Sequence, residues 1–185
     1  PLPGVPEPLA GRMTVAVRYT AVGDFAEAER LLAPMRAVAT PLMDTVGVLP
    51  YAAIGMVHAD PVDPMPVNEN HTLLSALPAE AIDALLAVTG QGSGSPQVIV
   101  ELRLLGGALA REPRHRSAFC HRGAAFSLAV IGALIPEIAP MVVEHAAGVV
   151  AALGPWSTGG QLPNFGPSYD PARPSRVYNE DSWHW

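Results

Sequence analysis

The chain has 185 residues, of which 49% are apolar and 15% charged, and a formal net charge of −6. That composition supports one packed domain burying roughly 70% of its unfolded surface, and it excludes an intrinsically disordered chain. All eleven basic residues are arginine, and no long basic run stands out in this net-acidic chain, which argues against nucleic-acid binding through phosphate neutralisation.

Residues 1–11 are rich in proline and glycine and read as a linker leading in from another segment; they lack an initiator methionine and the charged and apolar regions of a signal peptide. Cys120 is the only cysteine, so no internal disulfide forms and a reducing compartment such as the cytoplasm is permitted. The most apolar stretch, Ala124 to Ile135, falls short of the ~20 residues a membrane helix needs, so no membrane partner is expected.

From Arg12 the residues alternate, with Met13, Val15, Val17 and Tyr19 on one side, the pattern of a half-buried strand. Asp24 then caps a helix carrying Glu27 three residues on and an apolar stripe of Phe25, Ala28, Leu31, Leu32 and Met35, with Pro34 set to kink or end it. Residues 40–70 are loop-rich, and short extended pieces are expected near Ala52–His58 and His71–Ser75. A second helix starts at Pro78, has Glu80 and Asp83 in its early turns, and stops at Gly90. Gln91-Gly-Ser-Gly-Ser is a turn without the spacing of a phosphate-binding loop.

Gln97–Leu105 gives the clearest strand signal, with Val98, Val100, Leu102 and Leu104 opposite Gln97, Ile99, Glu101 and Arg103, and Gly106-Gly107 breaks it. Another strand is expected over Phe126–Leu134 and a third helix over Pro140–Leu153. Interleaved strands and helices with hairpin-like breaks predict an α+β fold: a mostly antiparallel sheet with helices on one face and the other face open. An open face calls for cover by a ligand, another domain or a second copy in a homodimer. The expected organisation is a linker over 1–11, a core over 12–155 and a tail over 156–185.

The six histidines lack ligand spacing, so no metal is expected, and no Ser-His-Asp grouping with an elbow motif suggests a hydrolase. Four strings in order carry a resemblance. They are Gly23-Asp24-Phe25-Ala26-Glu27-Ala28-Glu29 with Leu32-Ala33-Pro34, Val48-Leu49-Pro50-Tyr51, Val100 to Ala108 followed by Ala118-Phe119-Cys120-His121-Arg122, and Gly159-Gly160 followed by Asn164-Phe165. Together they resemble the C-terminal substrate domain of berberine-bridge-enzyme-like flavoproteins in the vanillyl-alcohol-oxidase superfamily.

That resemblance implies a substrate-covering cap of an FAD-linked oxidoreductase that passes hydride from an alcohol, sugar or amine-type substrate to FAD. The cofactor would be held by an N-terminal FAD-binding domain of the same protein, with none bound by this chain alone. The resemblance places Glu101, Arg103, Tyr51 and Asn70 toward a small-molecule substrate and Asn164, Phe165 and His121 toward the cofactor. Arginine at 103 would favour a polar or anionic substrate group. His121 and Arg122 are also read as pinning a turn through backbone hydrogen bonds, and Glu101 and Arg103 as a salt-bridging face. The family's base positions are occupied by Phe165, which lacks an ionisable hydroxyl, and by Leu128, so no catalytic base is assigned. The alternatives are a non-catalytic α+β module that binds a small molecule or dimerises, or a degenerate flavoprotein.

Overall fold

A computed structural model describes residues 7–58, 64–115, 117–166 and 170–183. The chain divides into two compact units, Pro1–Pro64 and Met65–Trp185.

In the first unit, helix α1 (Phe25–Arg36) begins where Asp24 accepts the Glu27 amide at 2.9 Å, satisfying one of the donors left over at a helix start. The reciprocal half of the capping box does not form, because the Glu27 carboxylate pairs with Arg30 instead. Pro34 lies inside the helix, which continues two residues past it to Arg36. Arg36 then joins the helix to the following loop by bridging Glu29 and Asp44, each at 2.7 Å.

Two expectations fail in this unit. Residues 12–20 form no strand, and Met13, Val15 and Val17 are 53%, 84% and 60% exposed. Alternation specifies two faces but not the neighbour whose backbone completes the ladder, and none of the described residues pairs with this segment. Ala52–His58 is helical rather than extended: a 3-10 turn over Tyr51–Ala53 runs into α2 (Gly55–His58), with the Ala53 amide donating to the Pro50 carbonyl at 2.8 Å.

The second unit is an α+β sandwich. Its sheet has three antiparallel strands in the order β1-β3-β2, comprising β1 (Val67–Leu74), β2 (Ile99–Leu104) and β3 (Phe126–Ala133). Strand β1 begins four residues before the expected extended piece and contains all of it but Ser75. The outer edge of β1 is covered by residues 156–160, whose backbone exchanges hydrogen bonds with Leu73 and Ser75.

Helices α3 (Ala79–Thr89) and α4 (Ala139–Ala152) cover one sheet face. Their buried residues recur at helical spacing, Ala81 and Leu85 on α3 and Val142, Ala146 and Val149 on α4. These pack with Leu74, Leu128 and Val130 from the sheet. Gly132 allows the close approach of α4, since a Cβ there would lie 2.3 Å from Val142 Cγ1 and 2.6 Å from Gln97 Oε1. Short helices α5 (Pro174–Val177) and α6 (Glu180–Trp183) follow in the tail.

Among the described residues no helix is long and apolar enough to cross a membrane.

Candidate functional site

Strand parity assigns each side chain to a face. Leu74, Leu128, Val130, Val100 and Leu102 point into the helix-covered core, so the intervening residues share the opposite face. The register aligns His71, Ala129 and Glu101 in one row across the sheet, and Leu73, Ser127 and Arg103 in the next. That face is the candidate site.

His71 lies at its centre with no exposed surface. Its Nδ1 accepts the Leu162 backbone N–H at 3.4 Å, which leaves the ring proton on Nε2 to donate to Ser127 Oγ at 2.9 Å. Burial, and then the charges of Arg173, Arg103 and His121, push its pKa from 6.5 down to about 4, so the ring is neutral at pH 7. In this tautomer the imidazole donates to the hydroxyl, the reverse of the proton transfer a serine-hydrolase pair performs.

The Phe165 ring stacks on His71 with centroids 5.4 Å apart and planes 17° from parallel. The Arg103 guanidinium lies over the same ring, 5.0 Å from its centroid, and Arg103 Nε donates to Glu101 at 2.8 Å. Phe165 reaches the sheet because the tail folds back over it. Gln161 Nε2 donates to the His71 carbonyl at 2.9 Å, and Arg173 Nη2 donates to the carbonyls of Leu162 (3.0 Å), Pro163 (2.8 Å) and Phe165.

The face therefore brings together Glu101, Arg103 and Phe165 from the residues singled out in the sequence. Asn164 is exposed on the same loop, beside Phe165. Asn70 is in register with Val130, on the helix-covered side, and its Oδ1 accepts the His71 amide at 3.0 Å. Tyr51 belongs to the first unit and is 83% exposed. His121 Nε2 donates to the Arg176 carbonyl at 2.8 Å and its ring fills the space beside Gly160. Arg122 holds the carbonyls of Leu109 and Arg111. Leu128 is fully buried beneath the helices, on the face opposite Phe165. Cys120 donates its thiol to the Val177 carbonyl.

His71, Ser127, Gln161 and Arg173 were missed by the sequence reading. For His71 a signal existed, since extending the period-two reading over 67–74 puts it on the same face as Leu73. Among the described residues, no three His, Cys, Asp or Glu side chains converge to hold a metal ion.

No protein-family model matches the chain, and no curated protein matches it by sequence. Solved structures do match. BBE-like 1 of Physcomitrella patens superposes with a TM-score of 0.66 at 14% identity over 86% of this chain. A variant of the same moss protein gives 0.65 at the same identity and coverage. The likeness is one of fold, and this chain spans 37% of the length of the moss protein.

Proposed function

We propose that the chain is the substrate-facing part of an FAD-linked oxidoreductase, with the cofactor held mainly by another part of a longer protein. The observation that carries this reading is the fold likeness to BBE-like 1 across 86% of the chain, together with the share of that protein, 37%, which it spans. The described residues fit one role toward FAD and not another. The glycine-rich turns join no strand to a helix as a phosphate cradle does, whereas Phe165 and Arg103 offer an aromatic and cationic wall on the sheet face away from the helices. Bound FAD would supply the hydride acceptor.

The chain's own residues then shape and polarise the substrate space. Arg103 carries a positive charge fixed in direction by Glu101 and by the ring beneath it, which favours a polar or anionic group on an alcohol, sugar or amine-type substrate. Phe165 and the loop behind it exclude water from His71. Asn164 and Tyr51 are further candidates for contacts with cofactor and substrate.

A second reading, a flavoprotein without a working base, is favoured by Phe165 having no acidic hydroxyl and by both His71 nitrogens being engaged.

The test is to express the complete reading frame containing this chain and purify it gently. The reading expects a yellow protein whose visible flavin absorbance bleaches with substrate under anaerobic conditions. A longer protein that folds and neither retains nor binds added FAD would overturn it. Bound flavin that no alcohol, sugar or amine reduces, but that dithionite bleaches normally, would support the second reading.

A further inference from the structure

The loop that carries Phe165 is shaped from outside itself. Three successive-turn carbonyls, those of Leu162, Pro163 and Phe165, converge on one guanidinium nitrogen, Arg173 Nη2. Arg173 stands at the start of α5, where its backbone amide donates to the Asp170 carbonyl at 3.0 Å. Gly166 closes the loop with φ +113, and a Cβ there would lie 3.2 Å from Arg173 Nε, so the residue is small where the clamp passes. Converging carbonyl dipoles repel one another, and a cation at their focus turns that repulsion into attraction.

We propose that Arg173 is a positioning residue of the candidate site, folding residues 162–165 into a loop that sets the Phe165 ring against His71 and under the Arg103 guanidinium. The proposal rests on the flavin reading only in treating this face as a substrate wall. Arg173 acts through Phe165. With the ring in place, Arg103 has an aromatic shelf beside its Glu101 pair; with the ring gone, that shelf is lost. The same loop seals His71, so the state of the clamp is reported by the histidine.

The test uses NMR of the 185-residue chain, following the Phe165–His71 ring contact and the pH titration of the His71 imidazole, with amide shifts of the three strands as the control for folding. In Arg173→Met the contact is expected to vanish and the His71 titration to move up by about one unit or more, as both the nearby charge and the burial are lost, while the strand amides stay unchanged. Arg173→Lys is expected to restore part of the contact, because all three carbonyls meet at a single nitrogen and an ammonium presents three N–H donors from one atom. An Arg173→Met chain that keeps the stack and the wild-type His71 titration overturns the proposal.

Should Arg173→Met fail to fold, Gly166→Ala decides. It strains the loop and crowds the clamp without removing the charge. Displacement of the ring supports the proposal, and an unmoved stack overturns it. None of these readouts needs flavin, so they distinguish failure of the clamp from failure of the oxidoreductase reading.

Discussion

Acid should weaken this fold through one residue in particular. His71 is held neutral with a pKa near 4, against 6.5 for an ordinary histidine, chiefly because burial penalises the imidazolium and because Arg173, Arg103 and His121 repel it. The unfolded chain binds a proton below pH 6.5 that the folded chain refuses until about pH 4. The stability contributed by the neutral ring is therefore complete above pH 6.5, falls as the pH drops through that window, and is fully lost below about 4. A difference of about 2.5 units at 1.36 kcal/mol each gives about 3 kcal/mol, a large fraction of the roughly 5–15 kcal/mol typical of a whole domain.

The assay is urea denaturation from pH 7.5 to 3.5 of the wild type and of His71→Asn, which offers polar groups but does not titrate. Subtraction is needed because other groups act in the same direction. The carboxyls of Glu27 beside Arg30, Asp44 beside Arg36, and Asp170, held by the Ala172 amide and by Arg176, all sit below their usual values. The wild-type advantage over His71→Asn should shrink by about 3 kcal/mol between pH 7 and 4. An advantage that stays constant across that range would refute the burial and charge argument for His71.

Other perturbations are equally specific. Gly132→Ala should destabilise the chain by about 1–3 kcal/mol in thermal or chemical denaturation, since its Cβ would overlap Val142 and Gln97. Leu128→Ala should cost about 2–5 kcal/mol by leaving a cavity under the helices, and Leu128→Glu should unfold the chain rather than create a proton acceptor, both read from denaturation midpoints. Asp24→Ala should cost about 0.5–2 kcal/mol of helix stability, read as lost helical circular dichroism on warming, because the Glu27 amide loses its acceptor.

Strands β2 and β3 and helices α3 and α4 were legible because their periods are strong and their ends are punctuated. Pro78 stands immediately before α3 and Gly90 immediately after it, and Gly106-Gly107 follows soon after β2. Residues 12–19 carry an equally clean alternation and form no strand. The difference is physical: a strand is completed by a partner's backbone, and the side-chain pattern of one segment does not name that partner. In β1 the pattern itself is weak. Val67, Glu69, His71 and Leu73 alternate with Asn68, Asn70, Thr72 and Leu74, so each face mixes polar and apolar residues. Parity there shows little contrast, and Asn70 enters as a site residue through the family resemblance alone, which did not single out its neighbour His71.

The same parity bears on the chemistry. Glu101 and Arg103 share a face because they are two apart on a strand with a clear apolar side, formed by Val100 and Leu102. Leu128 pairs in register with Leu102 and Thr72, and so belongs to the covered side, whereas Ser127 and Ala129 belong to the side that holds Phe165 and Arg103. A carboxylate at 128 would thus be buried among the apolar residues that bind the helices to the sheet. On the site face, both His71 nitrogens are committed, one to the Leu162 amide and one to Ser127, and the Glu101 carboxylate holds Arg103. If the protein oxidises a hydroxyl or an amine, its proton leaves through Glu101 at the expense of the Arg103 pair, or through another group, Glu69 on the same face included. The first route predicts that Glu101→Gln abolishes substrate-driven flavin bleaching in the longer protein while leaving flavin binding intact; the second predicts that bleaching survives.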